Sequence, residues 1–298
     1  MAGLLTGVVV PAVTPIDEEG RPDYAAGRRY FGALAAAGVT KIMLLGTNGE
    51  GPLHQTAEIG GFLRDAVAGW RRLAPDGVVI VNASSAGTRE SLTRAELAAE
   101  AGCDAVAVSP PCYFHHDERD VIEHYRAMRA VSLPVIAYHI PRYAAPFSAG
   151  SIAAVAGMEH VAGVKDSSGD SGVLRQWLDV KRRRPGFGVS QGAERAMRDA
   201  LAAGADGITP GIANLAPRLT LDLFDGDRAA RAQRRVIELL AVHGIRPGVP
   251  VVKAALALRG LCPAAVAPPL RTLDDDETAA LRAFLDAYEP DLIGAADE

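Results

Sequence analysis

Short apolar runs recur along this chain with room for one helix between each pair, and that alternation restricts the fold more than any other feature. A β-rich opening at residues 5–15 is followed by strand-like runs at 41–45, 78–82, 105–109, 134–139, 161–165, 187–191 and 205–209. Helical patterns separate most of them. Residues 23–37 carry Tyr30, Phe31, Leu34 and Ala35 at helical spacing, stopped by Gly38, and Ala101-Gly102 and Ala203-Gly204 mark further helix ends. Eight βα units between residues 8 and 210 predict a closed (β/α)8 TIM barrel. A doubly wound sheet would want a Gly-rich dinucleotide fingerprint after an early strand, which Gly46-Thr47-Asn48-Gly49 does not match. Beyond Asn214-Leu215-Ala216-Pro217 only helical patterns follow, at 218–243, 250–260 and 275–288. The expected organisation is therefore a barrel over residues 1–225 and a C-terminal helical extension over 226–298.

The run Val161-Ala162-Gly163-Val164 ends abruptly in Lys165, followed by Asp166-Ser167-Ser168-Gly169. A buried parallel strand that delivers one functional side chain at its carboxyl end has this form. Only four of the 31 basic residues are lysine: Lys41, Lys165, Lys181 and Lys253. Arginine stays protonated, whereas a desolvated lysine can lose its proton near neutral pH and attack a carbonyl. A strand-end lysine can also simply snorkel to water. Strand alternation alone leaves both readings open.

Other strand ends deliver a consistent set. The second delivers Gly46-Thr47-Asn48-Gly49-Glu50 and the fourth Pro110-Pro111-Cys112-Tyr113-Phe114. The fifth delivers Tyr138-His139-Ile140-Pro141-Arg142, and the seventh and eighth deliver Gly192, Glu194, Thr209 and Asn214. A Gly-rich turn brings backbone N–H groups close to an anion such as a carboxylate, or is merely a tight βα turn. Tyr138 is either a core aromatic or, beside a strand-end lysine, a proton shuttle.

These motifs together resemble the dihydrodipicolinate synthase / N-acetylneuraminate lyase family. The resemblance rests on Gly46-Thr47-Asn48-Gly49-Glu50, Tyr113 behind Pro110-Pro111, Tyr138-x-x-Pro141 and Gly163-Val164-Lys165-Asp166. It implies a (β/α)8 enzyme, a homotetramer built as a dimer of dimers, and a Schiff base between Lys165 and the keto carbon of pyruvate or another 2-oxo acid. By the same resemblance Tyr138 moves protons to and from the substrate. Thr47 links Tyr138 to Tyr113, which reaches across the tight-dimer interface, and the amides of Thr47 and Asn48 hold the substrate carboxylate. Gly192 and Ile208 line the pocket beside the Schiff base. No metal or other cofactor is implied, because the iminium supplies the polarisation.

Departures from the pattern bear on the substrate. Dihydrodipicolinate synthases carry an arginine two residues after the proline of Tyr-x-x-Pro; here that position is Tyr143, with Arg142 one residue earlier. Neuraminate lyases carry an acidic pair where this chain has Glu194-Arg195. Asn48 and the run from Lys165 to Asp170 resemble 2-keto-3-deoxy-sugar-acid aldolases and 4-hydroxy-2-oxoglutarate aldolases. The expected activity is reversible cleavage of a 2-keto-3-deoxy sugar acid, such as 2-keto-3-deoxygluconate, to pyruvate and an aldehyde, with Arg142 and Glu194 as candidate substrate contacts. The alternatives are a Schiff-base dehydratase, then 4-hydroxy-tetrahydrodipicolinate synthase, then a non-catalytic 2-oxo-acid-binding protein.

Bulk properties exclude other classes. A net charge of -5 leaves no basic excess for nucleic acid. Three scattered cysteines suit neither a disulfide framework nor a zinc site. The N-terminus has no signal-peptide pattern and no run reaches membrane-span length, so a cytoplasmic protein is expected. His115-His116-Asp117-Glu118 reads as a solvated loop and helix start. His139 should face away from Tyr138 and pack on a helix. The basic run 181–184 should lie in water at a helix end, and Cys112 should be a small buried hydrophobe.

Overall fold

In the computed structural model, residues 3–294 are described. Nine short parallel strands realise the eight expected ones: β1 (Gly7–Val8), β2 (Val10–Pro11), β3 (Lys41–Leu44), β4 (Val78–Asn82), β5 (Ala105–Val108), β6 (Val135–His139), β7 (Val161–Asp166), β8 (Gly188–Gln191) and β9 (Gly207–Ile208). The extra strand arises because the opening strand is divided. Gly7–Val8 pairs with Gly207–Ile208, and Val10–Pro11 pairs with Ile42–Met43. Parallel pairing with a helix after most strands is the (β/α)8 class that the periodicity predicts.

The chain groups into two compact units. One comprises the N-terminal stretch through Val9 together with Val78–Pro210, and its strands run in the order β1-β9-β8-β7-β6-β5-β4. Their side chains are buried almost throughout: all of β5, β6 and β7 and all but the first residue of β4 and β8. Near-continuous apolar runs are what strands covered on both faces require. Phe147, Trp177 and Phe187 pack over this sheet, with ring centroids 5.3 and 6.2 Å apart. Gly163 of β7 lies opposite Gly188 of β8, and a Cβ at Gly163 would sit 2.5 Å from the Gly188 carbonyl oxygen. Leu5 fills the space over both glycines.

The other unit comprises Val10–Gly77 and the chain from Gly211 onward. The helix Arg28–Ala36 begins after a 3₁₀ turn and buries Tyr30, Phe31 and Leu34; Phe31 meets Trp70 edge-on at 6.5 Å. Gly38 follows with φ 92°, and Gly102 and Gly204 end their helices at φ 79° and 108°, so all three expected stops are left-handed caps.

The predicted helix at 218–243 is broken. Pro217–Leu221 and a 3₁₀ turn end at Phe224, and Ala229–Leu239 starts anew. The cause is Asp225, whose carboxylate accepts hydrogen bonds from the Asp227 and Arg228 amides at 3.1 and 3.3 Å and so offers the backbone a turn instead. Val249–Leu258 and Asp275–Asp286 match the remaining two patterns. Among the described residues no single helix is long and apolar enough to cross a membrane.

Two stability outcomes follow from this packing. Gly163→Ala should destabilise by about 1–3 kcal/mol through overpacking, while Gly226→Ala, where nothing lies within 4 Å, should not; denaturant midpoints compare them. His124, in the helix Glu118–Ala127 with its Nδ1 2.9 Å from the Thr88 hydroxyl, is held at a pKa of about 4, chiefly by burial. The unfolded chain therefore binds more protons between about pH 6.5 and 4, and stability falls as pH drops through that window, by up to about 3 kcal/mol. His124→Gln should flatten that part of a pH–stability curve, and an unchanged slope would count against this cause.

Candidate active site

Parallel register builds the centre of the site. Tyr138 of β6 lies directly opposite Lys165 of β7, and Lys165 opposite Ser190 of β8. Register partners on neighbouring strands share a face, so these three side chains form one row. Lys165 is 3% exposed and Tyr138 4%, and the Lys165 Nζ stands 4.2 Å from the centre of the Tyr138 ring. An aromatic face at that distance favours a cation, whether an ammonium or an iminium formed from it. A buried amine on a rigid strand end beside a phenol suits nucleophilic attack on a carbonyl and nearby proton transfer.

The next residue on each strand points the other way. His139 Nδ1 lies 3.1 Å from Asp166 Oδ1, both side chains are buried, and the imidazole meets Phe147 edge-on at 5.4 Å. His139 therefore packs away from Tyr138, as alternation predicts. Asp166 Oδ1 also accepts the Ser168 amide at 3.0 Å, and Ser167 N–H donates to the His139 carbonyl at 2.8 Å. The turn after Lys165 is thus tied down at once.

Gly192 belongs to the Lys165 face. A Cβ there would stand 3.3 Å from Lys165 Cε and 2.1 Å from Ser167 Oγ, so only glycine leaves the lysine stem undisturbed. The Ile208 side chain does not belong to that face. Ile208 is paired with Gln191, which is paired with Asp166, on the opposite side of the sheet. The residue that shares the Lys165 face is Thr209, whose hydroxyl lies 2.7 Å from that of Ser190, both fully buried. The two-residue period of the strand identifies Thr209, and Ser190 was legible by the same count from Lys165.

Other sequence-derived candidates in this unit lie further out. Tyr113 is 89% exposed with φ 78° and meets Phe114 edge-on at 5.0 Å. Arg142 is exposed and stacks on the ring of its neighbour Tyr143, 5.4 Å from the centroid. Glu194 opens a 3₁₀ turn after β8 and is half-buried. In the His115–Glu118 segment Asp117 caps a helix in a reciprocal box with Asp120, as the helix-start reading implies. Cys112 is half-buried rather than buried, because it sits in a loop beyond β5. The basic run is not simply solvated: Lys181 Nζ donates to the Gly204 carbonyl at 2.7 Å and meets Asp206 at 2.6 Å. Arg184 donates to the carbonyls of Ala156, Met158 and Glu159.

In the second unit Gly46–Gly51 forms a tight coil. Gly49 and Gly51 amides both donate to the Gly46 carbonyl, at 3.0 and 3.2 Å, and Glu50 donates to that of Thr47 at 3.2 Å. Leu45, just before it, and Glu50, within it, are in left-handed conformation, at φ 56° and 54°. Thr47 is exposed, and Asn48 is half-buried with its amide group against Gly211. Below, Asn214 is fully buried and joins separate segments: its Oδ1 accepts the Val13 amide at 3.1 Å and the Tyr30 hydroxyl at 2.5 Å, and its Nδ2 donates to Pro11 and Gly211 carbonyls. Sequence reasoning gave Lys253 no role; its Nζ lies 2.6 Å from Glu50 Oε1, with both side chains wholly buried.

Among the described residues no group of three or more His, Cys, Asp or Glu side chains is gathered as a metal site. Gly192→Ala should lower turnover by on the order of a hundredfold by displacing Lys165, with thermal stability little changed. Retained turnover, measured beside a melting curve, would remove Gly192 from this role.

Residues 4–288 match the Dihydrodipicolinate synthetase family. An uncharacterized DapA-like lyase of Halobacterium salinarum is 36% identical, over 94% of this chain and 93% of that one. A 4-hydroxy-tetrahydrodipicolinate synthase of Corynebacterium aurimucosum is 32% identical over 92% of both. The solved structure of dihydrodipicolinate synthase from Bacteroides thetaiotaomicron superimposes with a TM-score of 0.85 at 27% identity, covering 96% of this chain and 99% of that one. In fold, the match extends to YagE, an E. coli K12 prophage protein of the dihydrodipicolinic acid synthase family solved with pyruvate, at a TM-score of 0.89 and 24% identity, with 96% and 99% covered. The fold is thus the (β/α)8 barrel with a C-terminal helical extension, and the match in sequence runs through nearly the whole chain. The protein belongs to the dihydrodipicolinate synthetase family and is a carbon–carbon lyase of its pyruvate-dependent, Schiff-base class.

Proposed function

We propose that this lyase cleaves a 2-keto-3-deoxy sugar acid, or a related 4-hydroxy-2-oxo acid, to pyruvate and an aldehyde. The observation that carries this choice over a dicarboxylate substrate is the state of Arg142. The position two residues beyond Pro141 holds the exposed Tyr143, and the neighbouring guanidinium stacks on that outward ring. The Ser190–Thr209 hydroxyl pair makes the wall beside Lys165 polar, which suits a hydroxylated substrate. Glu194, half-buried after β8, is the candidate partner for its distal hydroxyls.

The reaction proceeds from the neutral amine of Lys165, which attacks the keto carbon to give a carbinolamine; loss of water leaves an iminium. Tyr138 gives its phenolic proton to the hydroxyl that leaves as water, and the oxygen so freed takes the proton of the C4 hydroxyl as the C3–C4 bond breaks with its electron pair entering the iminium as an enamine. The aldehyde leaves, C3 is protonated, and water releases pyruvate and restores Lys165. The iminium is the electron sink, so the cycle asks for no resident cofactor or metal. The family resemblance assigns the substrate carboxylate to the amides of Thr47 and Asn48 and gives Thr47 the link from Tyr138 to Tyr113. It also implies a homotetramer. Tyr113, an exposed aromatic in a strained backbone conformation, is the residue we assign to contact with a second copy.

Borohydride reduction with pyruvate should add one three-carbon adduct, located on Lys165 by peptide mapping, and Lys165→Ala should abolish it. No adduct with pyruvate or any 2-oxo acid would overturn the Schiff-base role. Released pyruvate measured over a panel of 2-keto-3-deoxy acids tests the substrate class. If only condensation of pyruvate with aspartate semialdehyde turns over, the dicarboxylate reading replaces it. Tyr113→Phe should lower turnover more than it weakens pyruvate binding, and an unchanged turnover number would remove that role.

A further inference from the structure

The loop Gly46–Gly51 is tightly wound, and its own backbone hydrogen bonds close it only locally. Leu45 and Glu50 occupy left-handed backbone at φ 56° and 54°, conformations that disfavour side-chain-bearing residues. A Cβ at Gly51 would fall 1.8 Å from the Leu45 carbonyl oxygen, so the coil closes on itself with no slack. Something outside the loop has to hold this geometry. The Glu50 side chain reaches out of the loop to such a hold.

Glu50 turns inward and is 2% exposed. Its Oε1 is 2.6 Å from Lys253 Nζ, and its Oε2 accepts the Ala267 amide at 2.5 Å. Lys253, fully buried on the helix Val249–Leu258, also donates to the Ala265 carbonyl at 2.7 Å. The surroundings are dry: burial pushes the nearby Cys262 thiol up to about 12, with Lys253 and Glu50 acting on it in opposite directions. Two charges taken fully out of water are costly to keep, and a well-packed apolar pair would often be as stable. Here the pair fastens the end of a strained loop to two separate segments, the helix at Lys253 and the chain at 265–267.

We propose that Glu50 and Lys253 are positioning residues for substrate carboxylate binding. They touch no substrate. They fix the backbone of Thr47 and Asn48, so that two amides point at one anion in a single geometry. This rests on the reading of that loop as the carboxylate site. The specificity consequence is selective: a carbonyl compound with a carboxylate should depend on the pair, and one without it should not.

The test uses trapping by borohydride with two probes, pyruvate and acetone, on the full-length protein and on Glu50→Gln and Lys253→Met. The pyruvate concentration for half-maximal trapping on Lys165 should rise on the order of tenfold in either variant, with the saturating yield and turnover number much less affected. Acetone trapping should be unchanged. Because a single substitution leaves one buried charge unpaired and can prevent folding, Glu50→Gln/Lys253→Met is made as well. It removes both charges, while the substituted carboxamide can still accept the Ala267 amide. In the double variant the pyruvate-to-acetone ratio should still shift in the same direction. Equal losses with both probes, or no loss with either, in a folded variant would overturn the positioning role alone. Absence of pyruvate trapping in the unsubstituted protein would overturn the Schiff-base reading and this proposal with it.

Discussion

Everything chemical in this protein depends on the register between β6, β7 and β8. Parallel hydrogen bonding sets Tyr138, Lys165 and Ser190 side by side, and no loop conformation has to be selected to bring them together. A strand in a covered sheet cannot slip by one residue without exchanging its two faces. Were β7 to slip, Asp166 would replace Lys165 in the row. Gly163 guards against that, since a residue with a Cβ in its place would run into the Gly188 carbonyl.

Loops on the other unit are held by a different device. Where the strands use repeated backbone bonds, Gly46–Gly51 and its surroundings use single buried polar side chains, each serving several segments. Asn214 satisfies the backbone at Pro11, Val13 and Gly211 and takes the Tyr30 hydroxyl. Glu50 and Lys253 bind the loop to the C-terminal part of the chain. Networks of this kind favour one arrangement, because an alternative separates buried polar groups from the partners they have here.

Much of this was legible in the sequence, for physical reasons. The strands announce themselves because they are buried on both faces, and Gly38, Gly102 and Gly204 mark helix ends because only glycine enters left-handed backbone cheaply. Lys165 stood out as a charge ending an apolar strand. Pairings at long range left no local mark: nothing near Glu50 indicates Lys253, and nothing near Lys181 indicates Asp206. Ser190 was missed, although the two-residue period of the strands places it, with Thr209, on the Lys165 face. The break before Arg228 was missed because hydrophobic periodicity does not sense an aspartate capturing its own backbone.

The pair His139–Asp166 has a consequence for changing this enzyme's substrate. Each is peptide-bonded to a residue of the reactive row, His139 to Tyr138 and Asp166 to Lys165, yet both lie on the opposite face, where His139 meets Phe147 and Phe147 in turn meets Trp177. The outer aromatic layer is therefore a mechanical handle on the amine. Directed-evolution libraries confined to the pocket would omit it. Volume changes at Phe147 or Trp177 would retune the lysine from behind, leaving every substrate contact chemically intact.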